Sequence, residues 1–183
     1  MILLNKMIEI VTLANGCFWC TETIYRRVRG VLSVTPGYTG GAIKNPSYQE
    51  VCNGSTGHAE CVQIEYDNTQ IDFSNLLEVF FDTHDPTTLN KQGADKGTQY
   101  RSAIFYHNVQ QLAIAQDILA SKANTFDNPI VTELTPFHIF YKAEVEHQDY
   151  YNLNPSQPYC RAVISPKVEK LLSIHTQFLK AEL

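Results

Sequence analysis

The chain has 183 residues, of which 44% are hydrophobic and 18% charged, with 14 Lys and Arg against 19 Asp and Glu for a net charge of −5. This length suits one domain burying its own core, and the composition excludes a disordered chain, a collagen and a coiled coil. A mildly acidic protein has no broad attraction for nucleic acid or an anionic membrane, and no apolar run approaches the roughly 20 residues of a membrane helix.

Residues 1–4 are too short for the apolar core of a signal peptide, and residues 1–6 are expected to be dispensable because Met7 opens the first strand-like segment. Residues 8–13 are β-branched and apolar on both faces, which predicts a buried strand. Asn15-Gly16 turns the chain. Residues 18–28 predict a helix with Phe18, Ile24, Tyr25 and Val28 to one side, closed by Gly30. Residues 31–38 predict a second strand, broken by Pro36-Gly37. A connection rich in Gly, Asn, Ser and Pro covers 40–57. Residues 61–66 alternate, with Val62, Ile64 and Tyr66 on one face and Cys61, Gln63 and Glu65 on a wet one.

Asp72 or Ser74 caps a helix that runs through Leu76, Leu77, Phe80 and Phe81 and stops before Pro86. Irregular chain follows to Gln99, then a strand at 102–107. Residues 109–122 form an amphipathic pattern with Leu112, Ala115, Ile118 and Leu119 inward. Short strands are expected at 130–135 and 139–141, and a helix at 145–151. Ser165-Pro166 opens a last helix with Val168, Leu171, Leu172 and Phe178 on one stripe. The order β-α-β, β-α-β over residues 8–107 is that of an α+β, ferredoxin-like split βαβ fold with helices on one side of the sheet. Residues 108–183 read as additions to that core, within a single domain whose C-terminal extension is 154–183. The long loops 40–57 and 85–99 carry specific polar content and are candidates for function.

The cysteines are Cys17, Cys20, Cys52, Cys61 and Cys160, an odd five in a chain large enough to need no disulfide framework. A cytoplasmic setting keeps such thiols reduced. Gly16-Cys17-Phe18-Trp19-Cys20 is the sharpest local feature. Cys17 leaves a strand, follows a glycine and opens a helix, where backbone N–H groups and the helix dipole lower a thiol's pKa and make it nucleophilic. Phe18 and Trp19 cannot both point inward, so one or both are expected to form an apolar pocket at the thiol. The Cys17/Cys20 spacing also suits a thiol–disulfide oxidoreductase or half of a zinc-binding module, although the latter lacks a matching second pair: Cys52 and Cys61 are nine apart with His58 between them. Glu60 opens the third strand, and the antiparallel order brings it toward the end of the first, beside Cys17. A carboxylic acid in a dry pocket has its pKa raised and can deliver a proton near neutrality. Tyr48, Asp95 and Tyr100 lie in or at the edges of the two long loops.

The segments Gly-Cys-Phe-Trp-Cys at 16–20, Gly-Tyr-Thr-Gly-Gly at 37–41, Asn-Pro-Ser-Tyr at 45–48, Gly-His-Ala-Glu at 57–60, His-Asp-Pro-Thr at 84–87, Gly-Thr-Gln-Tyr-Arg-Ser at 97–102 and Glu-His-Gln-Asp-Tyr at 146–150 together resemble the peptide methionine-(S)-sulfoxide reductase family, A type. The match runs from about residue 8 to 170; one departure is Gly93-Ala94, where the family usually has Gly-Asn before the aspartate. The resemblance implies Cys17 as nucleophile and Phe18 and Trp19 as the aromatics around the substrate methyl. It implies Glu60 as the acid that protonates the sulfoxide oxygen, Tyr48 and Tyr100 as hydrogen-bond donors to that oxygen, and Asp95 as a support. It further implies methionine sulfoxide, free or in proteins, as substrate, thioredoxin as the external reductant, a monomer, and no bound metal or organic cofactor. The resolving thiol stays open between Cys20, one helical turn from Cys17, and Cys160, placed where family members carry a resolving cysteine on a mobile C-terminal loop. Cys52 and Cys61 read as packing residues.

Overall fold

The computed structural model describes residues 7–181. The reading of residues 1–6 lies outside the described residues. The strands are β1 (Ile8–Asn15), β2 (Val31–Thr39), β3 (Ala59–Asp67), β4 (Lys91–Gln92), β5 (Asp95–Lys96), β6 (Ser102–Tyr106), β7 (Glu133–Pro136) and β8 (Tyr141–Lys142). The helices are α1 (Phe18–Arg26), α2 (Tyr48–Cys52), α3 (Phe73–Thr83), α4 (Val109–Lys122), α5 (Tyr150–Leu153) and α6 (Ser165–Ile174), with 3-10 turns at Thr98–Tyr100, Val145–His147 and Thr176–Phe178. None of these helices is long and apolar enough to cross a membrane.

Six strands form one sheet in the order β7-β6-β1-β3-β2-β8, and β4 pairs with β5 in a separate hairpin. The four central strands are antiparallel to their neighbours, whereas β7 joins β6 in parallel. The fold is therefore a mixed sheet with helices, of the α+β class. Because side chains alternate along a strand, Leu13, Val62 and Ile104 share one core with Phe18, Ile24, Leu76, Leu77 and Phe80 of α1 and α3. Ala14, Cys61, Ala103 and Phe105 face the other way, where Phe137 and Phe140 cover them. Burial of each large apolar side chain contributes about 1.5–3 kcal/mol, and this two-sided packing holds the strand ends that carry the site.

Several elements depart from the sequence-based expectation. The first strand is buried only from Val11 on; Ile8 is 57% exposed, and by alternation it lies on the face of Ala14, away from the helices. Pro36-Gly37 does not break β2. Pro36 O accepts from Ala143 N on the β8 side, so the donor that proline lacks is not one that β3 needs. The face of β3 expected to be wet is dry at Cys61, which lies beneath the 137–140 segment. The connection 40–57 contains α2, whose Ser47–Glu50 capping box satisfies its first turn. The chain at 145–151 forms a 3-10 turn and the start of α5 rather than one helix. Helical backbone already begins at Pro158, ahead of Ser165, with a π turn at Cys160–Ile164. A proline clashes with the carbonyl four residues before it, and the wider turn ahead of Pro166 relieves that clash. Phe178 lies on the 3-10 turn after α6 and is not part of its stripe.

Candidate active site

Gly16 carries the chain from β1 into α1 with φ +100°, and a Cβ on it would meet Gln92 Cγ at 2.7 Å. Gln92 in turn donates to Asp85 O (3.0 Å) and accepts from Asp85 N (3.1 Å), so the β4–β5 hairpin is seated against the turn before Cys17. Gly16→Ala is expected to cost about 1–3 kcal/mol of stability, which thermal melts check.

Cys17 is the N-cap residue of α1, with extended backbone and 6% exposure. In the β1–β3 register Leu13 faces Val62, and continuing that register brings Glu60 level with the end of β1. Strand alternation turns Glu60 to the same face as Val62, under α1. There Glu60 Oε2 accepts a hydrogen bond from Phe18 N at 3.0 Å, and its side chain is 1% exposed. Burial pushes the Glu60 carboxyl up to about 8; the Phe18 N–H opposes this, and the charges of Asp95 and Cys20 add to it. The group thus holds its proton at neutral pH.

The thiols of Cys17 and Cys20 share a hydrogen bond. The low pKa expected for Cys17 is not that of the resting site. Burial pushes the Cys17 thiol up, as do the bond to Cys20 and the charges of Cys20 and Glu60. Cys20, 2% exposed, is drawn down to about 7 by its bond with Cys17, against burial and with help from Lys167 on α6. A single negative charge on the pair is therefore accessible near neutrality and belongs to both sulfurs.

The aromatic side chains close round this pair. Phe18 is fully buried, and its ring centroid lies 6.3 Å from Tyr48, 5.8 Å from Tyr38 and 5.5 Å from His147. Trp19 is half-buried, with Tyr150 stacked on it at 3.7 Å and 7°, so the aromatic pair forms a walled box rather than an open pocket. Tyr48 opens α2 and its hydroxyl is bonded to Cys52; Tyr100 sits on the 3-10 turn before β6. Burial raises the pKa of both, and the charge of Glu60 raises them further, so both hydroxyls stay protonated donors beside it. Arg101 binds the Tyr100 turn to the loop before Glu60, donating to Thr98 O (2.9 Å) and Gly57 O (3.1 Å).

Asp95 Oδ2 accepts from the Tyr159 hydroxyl at 2.6 Å. That hydroxyl is also hydrogen-bonded to the two thiols, where it lowers the pKa of each. Tyr159, His147, Tyr150 and Lys167 were not among the sequence candidates. The run of C-terminal tyrosines is visible in the sequence, but no spacing links it to Cys17. Cys160 is fully buried at the start of the π turn packed on α1, not on an open loop, and the charge of Cys20 raises its pKa after burial. Cys61 is also fully buried and donates to Gly37 O at 3.4 Å. His58 spends both ring nitrogens on the backbone, Nδ1 on Gly41 N (3.0 Å) and Nε2 on Ile43 O (2.7 Å), which leaves none for a zinc ion. A hollow of about 460 Å³ lined by Glu9, Tyr66 and Gln111 lies away from these side chains.

The family model for peptide methionine sulfoxide reductase matches residues 9–179. A Saccharolobus solfataricus protein named peptide methionine sulfoxide reductase MsrA is 52% identical over 172 residues, covering 94% of this chain and 97% of its own length. The crystal structure of Mxr1 from Saccharomyces cerevisiae in reduced form superposes with a TM-score of 0.79 at 38% identity, covering 86% of this chain and 91% of that one. The crystal structure of Mxr1 in complex with Trx2 is similar with a TM-score of 0.56 at 28% identity, covering 80% and 86%. With a family match that starts in β1 and ends beyond α6, and half its residues shared with a relative along nearly its whole length, the chain belongs to the peptide methionine sulfoxide reductase family.

Proposed function

We propose that this protein reduces the S-epimer of methionine sulfoxide, free or within proteins, and that thioredoxin returns it to its starting state. The observation that carries the reading is the 3.0 Å bond from Phe18 N to Glu60 Oε2, which fixes the Glu60 carboxyl group beside the thiol at the start of α1, where burial keeps it protonated. A sulfoxide sulfur becomes a good electrophile only as its oxygen takes a proton, so nucleophile and acid must act together.

The proton shared by the two sulfurs moves from Cys17 to Cys20, and the charge passes to Cys17. While Glu60 is protonated, its repulsion on Cys17 is absent. The Cys17 thiolate attacks the substrate sulfur as Glu60 protonates the oxygen, with Tyr48 and Tyr100 donating to it and Asp95 supporting the site through Tyr159. Phe18 and Trp19 enclose the methyl group. Two electrons pass to the substrate sulfur, and the oxygen leaves with its proton on Cys17; the products are methionine and the Cys17 sulfenic acid. The Cys20 thiol condenses with it, forming the disulfide and releasing water. Thioredoxin restores both thiols by exchange and is itself oxidised. The burial of Cys160 in a helical turn supports Cys20 as the first resolver, with Cys160 as a relay after it. The solved Mxr1–Trx2 complex supports thioredoxin as the reductant. No bound metal or organic cofactor enters these steps.

The antiparallel order β6-β1-β3-β2, with α1 and α3 as crossovers, supports the ferredoxin-like reading of the core. We read the chain as one catalytic domain, monomeric and cytoplasmic. Turnover of separated S and R sulfoxides tests the function: reduction of the S form alone is expected, and reduction of the R form alone would overturn it. Cys20→Ser is expected to stop thioredoxin-linked cycling and also to slow the first turnover at pH 7, because Cys17 loses the partner that carries its proton. Cys160→Ser is expected to leave the first turnover unchanged. Single-turnover methionine release and steady-state cycling measured side by side separate the two thiols.

A further inference from the structure

Tyr48 stands on a helix of five residues, too short to hold its own position. The Ser47–Glu50 box satisfies the N-cap and third-residue amides, which leaves the Tyr48 N–H, the first of the helix, to be met from outside. Glu144 meets it. This half-buried residue precedes the 3-10 turn after β8, a part of the chain distant in sequence from α2. Its Oε1 accepts from Tyr48 N at 2.7 Å and its Oε2 from the Tyr38 hydroxyl at 2.8 Å. Tyr38 is fully buried and pairs with Glu60 across β2 and β3. One carboxylate therefore ties the α2 backbone to the strand beside Glu60. The same turn sets the His147 ring against Tyr48, with centroids 4.2 Å apart. Burial of Glu144 raises its pKa, but the bonds from Tyr48 N and Tyr38 outweigh this and hold it below the usual carboxylate range, so it stays charged through the working pH.

We propose that Glu144 is a positioning residue of the oxygen site, fixing where the Tyr48 hydroxyl meets the sulfoxide oxygen. The proposal rests on the reading of Tyr48 as a donor to that oxygen. Glu144 acts through the backbone amide of Tyr48, and the Tyr38 hydroxyl anchors its carboxylate to the neighbouring strand. Hydrogen bonds to a charged group are among the stronger ones in a folded protein, and their loss lets a short helix shift by enough to misplace a donor.

A double-mutant cycle decides it, with kcat and KM measured on a methionine-S-sulfoxide peptide for Glu144→Ala, Tyr48→Phe and the pair. Alone, Glu144→Ala is expected to lower kcat about 10- to 100-fold with KM little changed, since the hydroxyl matters most as charge develops on the oxygen. In the Tyr48→Phe background the same change is expected to cost less than about threefold, because the hydroxyl it positions is gone. Equal losses in both backgrounds, or a loss carried by KM alone, would overturn the proposal and leave the role of Tyr48 standing. Wild-type kcat in Tyr48→Phe itself would overturn the role of Tyr48 and this proposal with it. Should Glu144→Ala fail to fold, Glu144→Asp, which keeps the charge but cannot span both donors, goes through the same cycle under the same criteria.

Discussion

Protein carrying Cys17→Ser is expected to release no methionine from the S-sulfoxide, even in a single turnover with a small dithiol present. The fall is at least about 10⁴-fold, the scale of removing a covalent nucleophile. The reason is electronic as well as geometric. The sulfur at this position must give up two electrons and accept the oxygen as a sulfenic acid, and a serine oxygen can do neither. The fold should survive, since Ser is a good N-cap residue at the start of α1. The protein has one tryptophan, Trp19, and its fluorescence reports on the same box. An unchanged spectrum with abolished turnover is the expected pairing; normal turnover would remove the mechanism.

Glu60→Gln is expected to lower kcat/KM roughly 10²–10⁴-fold, the usual worth of a positioned general acid. Its pH behaviour is more diagnostic than its size. In the wild type, activity rises as the Cys17–Cys20 pair loses its proton near 7 and falls as Glu60 loses its own near 8. The Gln variant should lose the alkaline fall and keep the acid rise. Stability gives a second reading. In the unfolded chain a glutamate ionises near about 4.3, whereas the folded protein holds the Glu60 proton to about 8. Between those values the native state binds more protons than the unfolded one, so this group's contribution is present in full below pH 4 and is lost as pH rises through 8. Glutamine has no proton to lose. The melting temperature of Glu60→Gln relative to wild type should therefore climb from pH 4.5 to 8.5. A constant difference would mean that the carboxyl is not held protonated in the fold, and an unaltered rate would clear it of the acid role.

Some of this site was legible from local pattern. A glycine, a cysteine and two aromatics at a strand-to-helix junction mark a thiol at a helix start, and that is where Cys17 sits. The antiparallel order of the strands already brought Glu60, at the start of the third, toward the end of the first. The arrangement of Tyr38, Tyr150, Tyr159, Glu144 and His147 was not legible. They approach the site from β2, from the turn after β8 and from the segment around the π turn, and no sequence spacing encodes a meeting across about a hundred residues or more. Cys160 shows the same limit: the resemblance places it on a mobile C-terminal loop, yet the chain winds into a π turn and buries the thiol.

The sequence by itself determined the family, the central strands and helices, and the types of group at hand, since these follow from side-chain periodicity, capping residues and ordered motifs. Only the tertiary structure decided how those groups behave. The proton on Glu60 depends on a dry environment assembled from α1, β2 and β3, and the division of charge between Cys17 and Cys20 depends on a hydrogen bond between two thiols one helical turn apart, with Tyr159, Lys167 and Glu60 around it. Burial and Coulomb energies vary with distances in space, and those distances exist only once the sheet has paired and the C-terminal segment has closed over its end.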